Sequence, residues 1–281
     1  MRVETFAEQL FFTTVQIRTF SANGDQGSGT GFFYASKFDK GEALFIVTNK
    51  HVYAGTAHGE ITFHLAKNGK PDIGNTYTVQ LNAGEWAMMW HGHPNPDVDI
   101  AVAPLAPILE FVRNQHQLEL FFRSIPESLS PNEEEMHLFD AIEPVTFIGY
   151  PNGIWDSKNF LPVARRGTTA TPLEVDFENT PRFVVDASVF GGSSGSPVFV
   201  IHEGARATRN GSIVANGGQI YFVGVIAAVF HRVQTNMVKA IPIPTGMTPV
   251  VSSHEMLDLG IVFKARTVAE AAESCLRSYG F

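Results

Sequence analysis

The 281-residue sequence has a single cysteine, Cys275, so no intrachain disulfide can form. A reducing compartment is the simpler expectation for such a chain. Charge is also sparse: charged residues make up 17% of the chain against 44% hydrophobic. That balance excludes extended disorder and leaves enough apolar mass for one large domain or two small ones. The net charge is −8 and there is no basic run, so nucleic acid is not an expected partner. No apolar stretch approaches the roughly 18 residues needed to span a bilayer. The opening "MRVETFAEQLFFTTVQIRTF" lacks the basic, apolar and small-residue succession of a secretory leader. These absences predict a soluble, cytoplasmic protein with no membrane partner.

What the sequence does contain is strand. "ITFHL" (61–65) and "TYTVQL" (76–81) alternate apolar and polar residues, as half-buried strands do. "ALFIV" (43–47), "VTFIG" (145–149) and "YFVGVIAAVF" (221–230) are continuous apolar runs rich in Val, Ile and Phe, which favours strands buried on both faces. Asn-Gly pairs at 23–24, 68–69, 152–153 and 210–211 punctuate them as turns. Two segments read as helix. One runs from Ile108 to about Arg123, with Ile108, Phe111, Val112 and Leu118 as its apolar positions. The other closes the chain: Thr267 and Glu270 have capping-box spacing, and Val268, Ala271, Ala272, Cys275, Leu276 and Tyr279 keep a helical rhythm up to a Gly280 cap. The expected organisation is an N-terminal strand-rich unit at 1–105, a polar, acidic connector at 106–143, a second strand-rich unit at 144–264 and a terminal helix at 265–281. Two β-barrels joined by a connector is the natural architecture.

The chemistry centres on "GGSSGSPVF" (191–199), a small-residue loop between the strands "FVVDA" (183–187) and "VFVI" (198–201). A serine hydroxyl is a weak nucleophile at neutral pH and needs a neutral imidazole to take its proton. The imidazole needs a carboxylate to hold its tautomer, and the oxyanion that forms needs fixed N–H donors. "LFIVTNKHV" (44–52) delivers His51 just past a buried strand, and "PDVDIAVAPL" (96–105) places Asp99 just before another. Ser194 is the candidate nucleophile, and the N–H groups of Gly192 and Ser194 can point into one concavity. Glycine at 192 and 195 permits backbone angles that a Cβ would resist. Asp97, two residues before Asp99, is the rival carboxylate; Asp99 is preferred because the apolar strand begins immediately after it.

In these stretches the chain resembles the trypsin-like, chymotrypsin-fold serine proteases, on the disulfide-free bacterial branch that contains the HtrA proteases. "GSGTGFF" (27–33) with "IVTNKHV", "DVDIAV", "VTFIGYPNG" (145–153), and "GGSSGSPVF" followed by "FVGVIAAVF" carry the likeness in the family's order. The resemblance implies an all-β fold of two antiparallel six-stranded barrels with the site in the cleft between them. It implies a serine endopeptidase acting on protein or peptide substrates through an acyl-enzyme, without metal or organic cofactor. His51 would be the general base, Asp99 its orienter, Ser194 the nucleophile, and Gly192 with Ser194 the oxyanion hole. Ser188 would sit at the base of the pocket for the residue before the scissile bond, with Gly260 on its far wall. Ala227, Ala228 and Val229 would form the strand that pairs with substrate backbone.

The chain departs from secreted members in three ways. Ser193 replaces the aspartate that captures a newly cut N-terminus, so that activation switch is not expected. Ser188 is not acidic, which removes the basis for Arg or Lys preference and predicts an uncharged pocket for small or medium apolar side chains. Val229 stands where glycine often opens the pocket, predicting a shallow one. The chain ends after one helix, so control by a PDZ domain is not expected. Gly191–Gly195 also reads as G-x-S-x-G centred on Ser193, the hydrolase elbow, but strand follows it where the elbow needs helix. "HGH" (91–93) reads as a solvated loop, since two ligands are too few for a structural zinc, and "NEEE" (132–135) as a solvated helix start. The alternative function is a latent or catalytically silent protease-fold binding module awaiting a partner or signal.

Overall fold

The structure is a computed structural model and describes residues 1–202, 204, 206–207, 213–214, 218–237 and 250–281, with side chains outside 206–207, 213–214, 228–237 and 250–256. The Asn210-Gly211 turn expected from the sequence lies outside the described residues. The strands are β1 (Thr14–Phe20), β2 (Gln26–Phe38), β3 (Gly41–Thr48), β4 (His58–Lys67), β5 (Lys70–Leu81), β6 (His91–Gly92), β7 (Ala101–Pro104), β8 (Leu120–Phe121) and β9 (Ile125–Pro126) in the first part of the chain. Then come β10 (Pro144–Gly149), β11 (Val163–Thr169), β12 (Arg182–Asp186), β13 (Pro197–His202), the short pair β14 (Arg206–Ala207) and β15 (Ile213–Val214), β16 (Gln219–Met237) and β17 (Val250–Lys264). The helices are α1 (Phe6–Leu10), α2 (Lys50–Tyr53), α3 (Ala83–Met89), α4 (Ala106–His116), α5 (Glu133–Met136) and α6 (Arg266–Ser278).

The fold class is as the sequence implies: mostly antiparallel β, with few helices. Strands β10-β11-β12-β17-β16-β13 close a six-stranded barrel. The first part is a nine-stranded sheet in the order β5-β4-β1-β2-β3-β7-β6, with β8 added to β4 and β9 to β2, and its hydrogen-bonded path is not closed. Turn chemistry follows the sequence. At the β4–β5 turn Asn68 (φ 54°) and Gly69 (φ 72°) both take the left-handed conformation of a two-residue hairpin turn.

One apolar cluster joins the two parts. Phe32, Tyr34 and Phe45 of the first sheet pack with Phe199, Phe222 and Val225 of the barrel and with Val268 and Ala271 of α6. Phe32 and Phe222 have ring centroids 5.4 Å apart. Full burial of such side chains contributes about 1.5–3 kcal/mol each. The two parts are therefore held by core packing, and that packing fixes where their facing strand ends meet.

Three elements differ from the sequence reading. The first helix stops at His116 because Gln117 turns left-handed (φ 55°), and the apolar residues beyond it feed β8. Its Phe111, expected on the packed face, is exposed. Thr267 does not cap α6: it lies inside the helix, whose first flanking residue is Ala265, and its hydroxyl donates to Lys264 O at 2.8 Å. Capping boxes occur instead at Thr5–Glu8, Asn82–Glu85 and Asn132–Glu135, the last being the helix start read in "NEEE". Gly280, at φ 85°, ends the helix as expected.

Candidate active site

His51 sits in the single turn of α2, which follows β3 directly and starts from Asn49. Asp99 comes from the loop between β6 and β7. Its carboxylate grips the histidine twice: Oδ1 accepts the His51 backbone N–H at 3.0 Å, and Oδ2 lies 2.5 Å from His51 Nδ1. Asn49 Nδ2 donates to Asp99 O at 2.6 Å, so the loop is tied to the strand end from both sides. Asp97 makes no such contact; its backbone N–H bonds to Asn95 Oδ1. Both carboxylates act on Lys50, whose ammonium burial pulls below its ordinary value while Asp99 and Asp97 oppose the shift. Lys50 Nζ also donates to Asn95 O at 2.9 Å, closing the acid loop over α2.

The same loop is anchored at its far end by a group the sequence did not disclose. "HGH" is not a solvated loop. His91 and Gly92 form β6, and His93 is buried, 7% exposed. His93 Nδ1 accepts the Asn95 N–H at 3.1 Å, which leaves Nε2 to donate to Glu270 of α6 at 2.9 Å. Glu270, expected at a cap, is instead the partner of a buried histidine. Among the described residues no group of three or more His, Cys, Asp or Glu side chains could hold a metal ion.

The small-residue loop lies against the first half of β2. Thr30 N–H donates to Ser194 O at 2.9 Å, and Thr30 Oγ1 donates to Gly192 O at 2.9 Å while accepting the Tyr150 N–H at 3.0 Å. Gly195 (φ 87°) is forced to be glycine: a Cβ there would stand 1.9 Å from Thr30 O and 2.7 Å from Thr48 Oγ1. On the other side of the same strand, a Cβ on Gly29 would stand 2.6 Å from Val52, the residue after His51. Residues 29 and 30 thus form the seam between the histidine turn and the serine loop. Replacing Thr30 with valine is expected to orphan the buried Tyr150 N–H, at about 1–3 kcal/mol, and to release the half-buried Gly192 carbonyl at a smaller cost. Urea unfolding should show the loss, and Thr30→Ser should restore most of it.

The loop's N–H groups divide cleanly. Those of Ser193, Gly195 and Ser196 donate to Phe190 O, Ile226 O and Ser193 O. Among the described residues those of Gly192 and Ser194 have no acceptor. The Ser194 hydroxyl donates to Ala227 O at 3.2 Å, so it is turned toward β16 and makes no hydrogen bond to His51. Next to it, β16 pairs with β13 only as far as Val225, while Ala228 and Val229 pair with β17 at Ile261 and Gly260. From Ala227 onward the edge facing the serine loop has no strand beside it among the described residues.

The expected pocket residues are placed as follows. Ser188 is exposed, between the buried Ala187 and Val189. Gly260 is buried beneath Val189, and a Cβ there would stand 2.7 Å from Val189 Cγ2, so its smallness serves packing. The side chains of Ala228 and Val229 lie outside the described ones, so the depth expected from Val229 is not described.

The profile of the trypsin-like peptidase domain matches residues 29–205, more than half of the chain. The chain belongs to the trypsin-like peptidase family. No curated protein sequence matches it. Solved structures similar to this trypsin-like peptidase include the active form of the Rv3671c protease from M. tuberculosis, at 18% identity and TM-score 0.43, covering 92% of this chain and 79% of that one. Another is the protease Anisep from Arthrobacter nicotinovorans, at 12% identity and TM-score 0.44, covering 93% and 96%. A third is the tobacco etch virus protease with its product, at 13% identity and TM-score 0.44, covering 82% and 73%. Among the described residues of the peptidase no helix is long and apolar enough to cross a membrane.

Proposed function

We propose that this trypsin-like peptidase is a serine endopeptidase that cleaves protein or peptide chains through an acyl-enzyme. The observation that carries the reading is the two-point contact between Asp99 and His51 across the seam from a loop whose Gly192 and Ser194 N–H groups lack acceptors among the described residues. Asp99 Oδ2 takes the proton of His51 Nδ1 as a hydrogen bond, which leaves Nε2 as the base. Ser194 Oγ attacks the scissile carbonyl as its proton passes to His51 Nε2. The Gly192 and Ser194 N–H groups meet the oxyanion, and His51 returns the proton to the leaving amine. Water then repeats the sequence on the acyl-enzyme. The open edge at Ala227–Val229 supports pairing with an extended substrate. No metal or organic cofactor enters these steps. The single, buried Cys275 fits a reducing compartment, and on that ground we place the enzyme in the cytoplasm.

The hydrogen bond from Ser194 Oγ to Ala227 O favours a second reading, a latent enzyme whose serine must turn about χ1 to meet His51. Catalytic hydrogen bonds often form fully only once substrate is bound, so this geometry suits a resting enzyme as well. A fluorophosphonate probe separates the readings. The working enzyme is labelled on Ser194 as the free protein, and Ser194→Ala is not. Absence of labelling at every pH tested would leave the latent or silent module.

A further inference from the structure

Arg165 of β11 stands directly opposite Phe147 of β10. Residues so paired project to the same face, and Phe147 is packed in the barrel core. The alternation along β11 agrees: Arg166 is exposed, whereas Arg165 is half-buried. A guanidinium on the inner face of a barrel is costly unless something accepts its hydrogen bonds, because it carries a permanent charge and five donors. Arg165 Nη1 is buried and has no hydrogen-bond partner among the described residues.

Its surroundings place it at the serine loop. The Arg165 Cζ lies 4.8 Å from the centroid of the Phe190 ring and 5.6 Å from that of Phe147. Phe190 is part of the loop itself, since its carbonyl accepts the Ser193 N–H. Asp258 acts on Arg165 through space only, and its own backbone carbonyl accepts the N–H of Ala187, next to Ser188. The guanidinium therefore lies in the region bounded by the Ala187–Phe190 stretch and Asp258, with a donor unspent. An apolar side chain entering there would leave that donor unpaired, and a basic one would meet like charge. A carboxylate would accept from the planar fork, the geometry in which arginine is strongest.

We propose that Arg165 sets the specificity of the pocket for the residue preceding the scissile bond, and that this pocket takes an acidic side chain, Glu or Asp. The proposal rests on Ser194 being the nucleophile, and it replaces the uncharged pocket expected from Ser188 alone.

The test uses quenched peptides that differ only at that residue. Wild-type enzyme should cleave the Glu or Asp peptide with kcat/KM about 10–100-fold above its amide counterpart, the size expected of hydrogen bonds to a charged group. Arg165→Met should collapse the ratio, and Arg165→Lys should keep part of it, with melting curves confirming the fold of both. Preference of the wild type for neutral or basic residues, or an unchanged ratio in Arg165→Met, overturns the proposal. If no peptide turns over, the same ratio is read as affinity of Ser194→Ala for acetylated product peptides ending in Glu or Gln; equal affinities overturn it. Turnover that survives Ser194→Ala sinks the parent reading instead, while Ser194-dependent turnover without acidic preference sinks this one alone.

Discussion

His51→Ala is expected to lower kcat by about 10⁶-fold, the size of loss found when the histidine of a serine-protease triad is removed. The fold should be unaffected. The His51 side chain is half-exposed, and its side-chain partner is the Asp99 carboxylate, itself partly open to water. Alanine is also a better helix former than histidine in the short turn α2. The melting temperature should therefore stay within about 2 °C of wild type. A variant that keeps more than about 1% of the wild-type kcat would show that another base takes the proton, and the assignment of His51 would fall.

Asp99→Asn should be nearly as damaging, for a different reason. The amide keeps an oxygen where Oδ1 accepts the His51 N–H, so the loop and the ring stay in place. Where Oδ2 now faces Nδ1, however, it presents either an N–H or a reoriented oxygen. Donation from the amide makes Nδ1 the acceptor and puts the proton on Nε2, which then cannot serve as base. A fall in kcat of about 10⁴-fold follows, the effect of the same change in a chymotrypsin-type triad. Asp97→Asn removes only an exposed charge near Lys50 and should change kcat by about twofold or less. A reversal of these two results would make Asp97 the working acid.

Much of this was legible in the chain. The buried strands announce themselves as Val-, Ile- and Phe-rich runs, because burial on both faces removes any need for polar alternation. His51, Asp99 and the Ser194 loop stand at the ends of such strands, where a short stretch of sequence carries both the scaffold and the reactive group. What sequence could not carry were contacts made by pairing across the fold. Nothing in the sequence singles out Arg165 from its neighbour Arg166; only its register against Phe147 turns it inward. His93 reads as solvated until Glu270, far along the chain, is found against it. Thr267 and Glu270 have the spacing of a cap, but the chain enters α6 already helical at Ala265 (φ −53°, ψ −34°), so the threonine bonds backward instead. The first helix is shorter than its sequence suggests because Leu118 continues an apolar pattern that a single left-handed residue, Gln117, interrupts.

The attachment of α6 has a bearing on biosynthesis. It follows the barrel in sequence, yet it packs against β2, β6 and β7 and holds His93 through Glu270. A ribosome delivers His51 and Asp99 early and Glu270 far later. Until then the strip around Phe45 and Val102 lacks its cover, and the segment bearing Asp99 lacks its distant strut. The support of the Asp99 segment is thereby completed only when synthesis has reached Glu270, well after both of the residues that this segment joins have left the ribosome.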